Sequence, residues 1–220
     1  MTMPAPTIDE LLLADDGAAW AALGFAVTDG CCELGQVRLR FLADSSKRGI
    51  VGWSLRDLAS TELDGLTTTL SKSPPRDPAP THANGVLTID HVVAMSPNLD
   101  RSVERLRHAG LDLRRIREQP TPAGAPRQAF FRLGAEILEL IQVPEESIER
   151  VGGPDAPARF WGLAVVVSNL ERTVRELEPL LGSARDAVQP GRRIATVRRS
   201  AGLTLPLALM SEPAPSAPPR

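Results

Sequence analysis

The sequence predicts an α+β fold assembled from repeated β-α-β-β-β units, on three observations. Hydrophobic periodicity alternates between the two-residue period of strands and the 3.6-residue period of a helix, in the same order in successive stretches. One helical face is written twice, 71 residues apart: Asn98-Leu99-Asp100 with Val103 and Leu106 returns as Asn169-Leu170-Glu171 with Val174 and Leu177. Breaks rich in Pro and Gly divide the 220 residues into segments of one unit's length each, and a unit too small to bury its own sheet face has to pair with a copy.

The middle segment, 87–143, carries the pattern most fully. Leu87 to Met95 is a β-rich run, and Ser96-Pro97-Asn98 is a helix-start signal. Leu99, Val103 and Leu106 then form one apolar stripe, and Gly110 closes the helix. Leu111 to Arg117 reads as the second strand and Pro120 to Pro126 as a turn. Gln128 to Leu133 and Glu136 to Val143 read as a hairpin. Along that last strand the period of two puts Ile137, Glu139 and Ile141 on one face, so Glu139 sits among apolar neighbours. A carboxylate there is costly to bury without a partner.

The segment 159–210 repeats the plan, with strands predicted at Trp161 to Val167, Arg193 to Arg198 and Leu203 to Leu209. The segment 1–60 is a shorter, degenerate echo: Thr7-Ile8-Asp9-Glu10 matches Thr88-Ile89-Asp90-His91, 81 residues on. Its short helix is expected around Gly17 to Leu23, with strands at Ala26 to Glu33, Val37 to Leu42 and Gly49 to Leu55. Between these units, 61–86 reads as a linker, Pro-rich over Ser71 to Asn84, and 144–158 as a second linker with Gly152, Gly153, Pro154 and Pro157. The tail 211–220 alternates Pro with small residues and is expected to be disordered.

Composition narrows the function. A net charge of −2 and a pI near 6.0 give no electrostatic reason to expect nucleic acid or an anionic membrane as partner. Met1 to Glu10 lacks a basic region followed by an apolar run, and no window approaches the ~18 apolar residues of a membrane span. A cytoplasmic protein is the expectation. Cys31 and Cys32 are adjacent, which suits reduced strand residues better than a disulfide. Basic residues are mostly Arg, with Lys only at 47 and 72, and Ala and Pro are plentiful, as in a GC-rich bacterial genome.

Units of this length, with a His opening the first strand (IDHVVAMSPNLDRSVERL) and a Glu in the last (AEILELIQV), resemble the vicinal oxygen chelate superfamily. This is the glyoxalase, bleomycin-resistance and dioxygenase group, and the chain is similar to its actinobacterial glyoxalase-like members. The likeness is good over Leu87 to Val143, fair over Ala158 to Leu209 and weak over Thr7 to Leu58. It implies that units pair into a cupped, incomplete β-barrel around a small-molecule pocket. It also implies that a divalent metal, where bound, is held by side chains from the first and last strands of each unit.

Carried onto this chain, the resemblance makes His91 and Glu139 metal ligands, with Glu10 at the His91 position of the first segment. Such a set suits Zn, Ni, Co or Mn, which as a Lewis acid would stabilise an enediolate or alkoxide, with Glu139 or a bound water as the base. The third segment departs from the pattern. Gly162 stands at the His91 position, and the Glu139 position falls near Pro206 or Thr204; in the first segment it falls near Trp53. The second and third segments together then offer two ligands, and the first and second three. Two middle segments meeting in a homodimer would bring together two His91 and two Glu139. Dioxygenase iron asks for two His and a carboxylate, which His82, His91 and His108 are badly placed to supply within one subunit.

Further candidates lie at strand starts. Arg127 and Gln128 open the third strand of the middle unit and Arg192 and Arg193 that of the last, where a guanidinium suits a ligand carboxylate or phosphate. Trp53 and Trp161 lie on or beside strands and offer a stacking surface or core packing. The Gly152-Gly153 stretch is not a phosphate loop, lacking the Lys-Ser/Thr ending. Three classes therefore remain: a metal-dependent lyase or isomerase of glyoxalase type, a metal-free sequestering protein of bleomycin-resistance type, and a degenerate, non-catalytic member.

Overall fold

The computed structural model describes residues 5–42, 46–77, 80–121 and 124–213, so most of the tail expected to be disordered, and part of each Pro-rich loop, lie outside the described residues. Two mixed sheets pack their apolar faces together. The larger is built by two β-α-β-β-β units. The first comprises β6 (Val86–Ser96), α2 (Leu99–His108), β7 (Asp112–Arg117), β8 (Gln128–Leu133) and β9 (Glu136–Gln142). The second comprises β10 (Arg159–Val167), α3 (Leu170–Glu176), β11 (Arg185–Asp186), β12 (Arg193–Thr196) and β13 (Leu207–Ser211). Their first strands, β6 and β10, pair antiparallel, giving one eight-stranded sheet in the order β11-β12-β13-β10-β6-β9-β8-β7. The sheet is open at both edges. Because β6 is flanked by β9 and β10 of its own chain, it has no free edge to offer a second copy.

The helices form where the repeat predicts. Asn98 and Asn169 each cap a helix, accepting from the backbone N–H of Arg101 and Arg172 at 3.0 Å. Asp100 lies in the first turn of α2, and Arg105, Arg107 and His108 lie in the last, matching the helix dipole. Leu99, Val103 and Leu106 are buried against the sheet.

The smaller sheet holds β1 (Thr7–Ala14), β2 (Cys31–Leu34), β3 (Val37–Phe41), β4 (Gly49–Arg56) and β5 (Thr68–Leu70), with α1 (Gly17–Ala22) after β1. Its order is β2-β3-β1-β4-β5. Here β1 runs parallel to β3 and antiparallel to β4, and β4 runs parallel to β5. The larger sheet has the same central arrangement: β6 is parallel to β9 and antiparallel to β10, which is parallel to β13. The degenerate first unit thus faces a still shorter partner, β4 and β5. The correspondence reaches single residues. Trp53 N–H donates to Thr67 O at 3.0 Å beside Gly52, as Leu163 N–H donates to Pro206 O at 3.0 Å beside Gly162.

Two expected strands fall elsewhere. Of Ala26 to Glu33 only the end is strand, because Thr28 and Cys31 exchange hydrogen bonds around the tight turn at Asp29 and Gly30. The last strand begins at Leu207 instead of Leu203, since a Pro at 206 has no N–H to enter the ladder.

One core runs between the sheets, and Trp53 of β4 meets Phe160 of β10 edge-on across it, with centroids 5.1 Å apart. Polar ties close the rim: buried Asp64 accepts from Arg101, Ser102 and Arg105, and His82 lies between Ala26 N–H and Glu33 O. Among the described residues no helix is long and apolar enough to cross a membrane.

Candidate functional site

Four bulges decide what the outer face of the large sheet displays. In β6, Val86, Ile89 and Val92 all point into the core, a spacing of three that a regular strand cannot give. The ladder to β10 skips Leu87 and Asp90, and on the other side it skips Trp161. Each skipped residue joins its neighbour on the outer face, so Leu87 with Thr88, Asp90 with His91, and Trp161 with Gly162 lie away from the core. Between β7 and β8 the ladder skips Arg114 in the same way, turning Arg114 and Arg115 outward together.

Register then lays out this face as rows across the strands. One row runs Arg132, Ile137, His91, Ala164, Ala208. The next runs Arg115, Phe130, Glu139, Val93, Gly162. A third runs Arg117, Gln128, Ile141, Met95.

His91 and Glu139 occupy adjacent rows and meet, His91 Nε2 lying 3.3 Å from Glu139 Oε2. The other ring nitrogen, Nδ1, is 2.7 Å from Asp90 Oδ2. Asp90 Oδ1 accepts from Arg192 at 2.6 Å, and Arg192 is anchored by two bonds to Ser211 O and one to Gln189. Gln128 Nε2 donates to Glu139 Oε1. The result is a half-buried chain, Arg192 to Asp90 to His91 to Glu139 to Gln128. Burial raises the Asp90 carboxyl's affinity for a proton, but the His91 and Arg192 contacts outweigh it and hold its pKa below the usual carboxylate range.

The remaining predicted residues lie elsewhere. Glu10 is on the small sheet, its carboxylate held by Arg40 Nη2 at 2.7 Å, and it does not approach His91 or Glu139. Arg127 bridges Glu118 and Asp100, tying the start of β8 to α2. Arg193 does the same in the second unit, where its partner Glu171 is the counterpart of Asp100. Gln128 is in the site. Trp161 stands on the rim, 47% exposed, whereas Trp20 and Trp53 are buried. Asp90 is the member that strand periodicity misses, since alternation puts it on the face opposite His91; Arg192, expected at a strand start to suit a ligand anion, instead holds Asp90.

The polar face of the small sheet is closed. Asp9, skipped by its ladder as Asp90 is, receives Arg56, Arg76 and Ser71. Arg56 also donates to the carbonyls of Ser73 and Pro74, so the Pro-rich stretch lies across that face as a plug. A separate concavity of about 650 Å³ between the 57–67 loop and α2 is lined by Glu62, Asp64, Arg101 and Glu104, with Asp64 already paired to Arg101 and Arg105. The large sheet's face is the one that combines open apolar surface with a polar cluster.

Whether a metal fits is decided by the donor set. A separation of 3.3 Å is close to the edge of a tetrahedron of ligands at about 2.1 Å from one ion, and Asp90 on Nδ1 would leave Nε2 as the donor. The opposite half has nothing to add. By register the counterpart of Glu139 is Ala208, and that of His91 is Gly162. Among the described residues no group of three His, Cys, Asp or Glu comes together as a metal site. Two donors do not fit a tightly held ion, for which a catalytic zinc centre uses three.

No protein-family model matches the chain, and no curated protein does. Solved structures do. A xylose isomerase-like TIM barrel/4-hydroxyphenylpyruvate dioxygenase fusion protein aligns over 99% of this chain with a TM-score of 0.60 and 14% identity; the chain spans 51% of that protein's length. Methylmalonyl-CoA epimerase from Mycobacterium tuberculosis aligns over 60% of this chain and 92% of its own, with 22% identity and a TM-score of 0.49. The Streptomyces coelicolor methylmalonyl-CoA epimerase aligns over 59% and 99%, with 17% identity and a TM-score of 0.47. The likeness to the fusion protein is one of fold, and with the paired units it bears out the fold expected from the resemblance to the vicinal oxygen chelate superfamily, here with two paired sheets in one chain.

Proposed function

We propose that the chain is a small-molecule-binding protein of this superfamily that takes its ligand on the outer face of the eight-stranded sheet without a resident metal. The observation that carries this reading is the replacement of the second half-site by Gly162 and Ala208. Neither residue carries a group that could ligate opposite His91 and Glu139, and Leu87, Trp161, Met95, Phe130 and Ile141 supply apolar surface around the polar chain. A compound with a flat apolar body and a polar end facing the His91, Glu139 and Gln128 chain matches that lining. Stacking on Trp161 would hold its ring.

The test uses the intact protein. Metal analysis after purification without chelator, repeated after incubation with Zn, Ni, Co and Mn, is expected to find no stoichiometric ion. A screen of aromatic compounds is expected to give ligands that raise the melting temperature and quench fluorescence. Trp161→Phe should abolish the quenching, because the other two tryptophans are buried. Near-stoichiometric metal that disappears in a His91→Ala, Glu139→Ala double variant would overturn the reading in favour of a metal-dependent lyase or isomerase.

A further inference from the structure

The β7 side of the same face carries charge that the fold does not use. Most arginines near the site are committed: Arg127, Arg192 and Arg193 each close an ion pair. Arg115 and Arg117 differ. The bulge at Arg114 and the register of β7 place both on the outer face, opposite Phe130 and Gln128. The guanidinium of Arg115 lies over the Phe130 ring, 5.0 Å from its centroid, and neither side chain enters a salt bridge or hydrogen bond among the described residues.

Gln128, directly beside Arg117 in the ladder, is 6% exposed, and its Oε1 is buried with no donor. Its amide group already donates to Glu139. A buried carbonyl oxygen without a donor is uncommon in a folded protein, and here Arg117 stands opposite its residue in the ladder with Arg115 one row away. An acceptor without a donor on the same face as two unpaired arginines asks for a molecule that brings both a hydroxyl and an anion.

We propose that the ligand of this face is a hydroxylated organic anion, its carboxylate held by Arg115 and Arg117, its hydroxyl donating to Gln128 Oε1, and its apolar body directed toward Trp161. The inference rests on the ligand-binding reading above and specifies its chemical class. Strands β7 and β10 are four steps apart in the sheet, about 19 Å at the usual strand spacing. Two long arginines and an indole reaching toward one another across that span leave room for an aryl-substituted hydroxy acid.

The probe is 3-phenyllactate, with 3-phenylpropionate lacking the hydroxyl and methyl 3-phenyllactate lacking the charge, each titrated against Trp161 fluorescence of the full chain. Phenyllactate is expected to bind at least tenfold more tightly than either control. An Arg115→Gln, Arg117→Gln double variant, both positions being on the edge strand, should lose that advantage over the ester while binding the ester unchanged. Equal affinity for acid and ester, or an acid affinity that survives the double variant, overturns the inference and leaves the ligand-binding reading standing. If neither these three nor any compound of the aromatic screen quenches Trp161, the reading itself fails.

Discussion

Arg40 occupies in the small sheet the place that Glu139 occupies in the large one. Glu10 corresponds to His91, and two residues on, Leu12 pairs with Arg40 as Val93 pairs with Glu139. The contact is preserved while its chemistry changes: His91 meets Glu139, and Glu10 meets Arg40. An imidazole facing a carboxylate has been exchanged for an ion pair that satisfies itself. That exchange, with the plug of Ser71 to Arg76, accounts for one face being closed and the other open.

Glu10 should therefore be dispensable for ligand and metal alike. Its pair with Arg40 is partly exposed, with the arginine side chain 44% accessible, so Glu10→Ala should cost no more than about 1 kcal/mol. His91→Ala, by contrast, should abolish ligand quenching of Trp161. Parallel titrations of the two variants decide it: a loss of binding in Glu10→Ala would mean that the sheets share one site.

Gly162 should resist even a methyl group. A Cβ there would lie 2.8 Å from the Pro206 carbonyl oxygen, which is backbone and already accepts from Leu163. Gly162→Ala is expected to lose about 1–3 kcal/mol in denaturant unfolding. At the matching position in the small sheet, Gly52→Ala meets Thr67 O at 3.2 Å, a milder contact. There the entropy gained by removing a glycine, about 0.4–1 kcal/mol, offsets most of the strain. Equal losses at both positions would show that the close approach is not what the glycine serves. The second half-site is lost in backbone as well as in side chain, so a histidine cannot simply be returned to position 162.

Much of this was legible in the sequence, and what was not has a physical cause. The 71-residue repeat fixes both helices, because capping Asn98 and Asn169 and the apolar stripes behind them are local signals. His91 and Glu139 lie on one face because each strand's periodicity places it there, and the parallel pairing of β6 and β9 brings them together. Asp90 was hidden, since a bulge is set by the partner strand and breaks the alternation from which faces are read. Arg192 was legible as a guanidinium at a strand start, but its partner was not: its reach to Asp90 crosses 102 residues of chain. β5 could not be seen in the segment read as a linker, because three residues pair with β4 without any periodicity of their own.

Arg192 should prove structural as well as local to the site. It is 8% exposed, and its guanidinium supports the Ser211 carbonyl while neutralising Asp90. Arg192→Met keeps the packing and removes the charge, leaving Asp90 half-buried beside His91 alone. A loss of about 2–3 kcal/mol is expected. Pairing the substitution with Asp90→Asn should recover part of that loss, since the charge left without its partner is then gone. If the double variant is as unstable as the sum of the singles, the two residues are not coupled.

Glu136 offers a pH test of burial away from the site. It begins β9, is 5% exposed, and burial pushes its carboxyl pKa above the ordinary glutamate range, against the weaker opposing effects of backbone N–H donors and the charges of Arg132 and Arg56. In the unfolded chain it titrates near the usual value of about 4.3. Between the two values the folded state holds more protons, so stability falls as pH rises through that interval. Above it the folded protein carries a buried charge; below it the side chain is neutral in both states. Glu136→Gln removes the cost and should raise the melting temperature relative to the parent at pH 8. The gain should shrink as the pH falls and vanish near pH 4, where Gln and protonated Glu are equivalent in charge. Melting curves of both proteins across that range measure the difference directly, and a gain that stays constant from pH 8 to pH 4 would assign it to packing instead of ionisation.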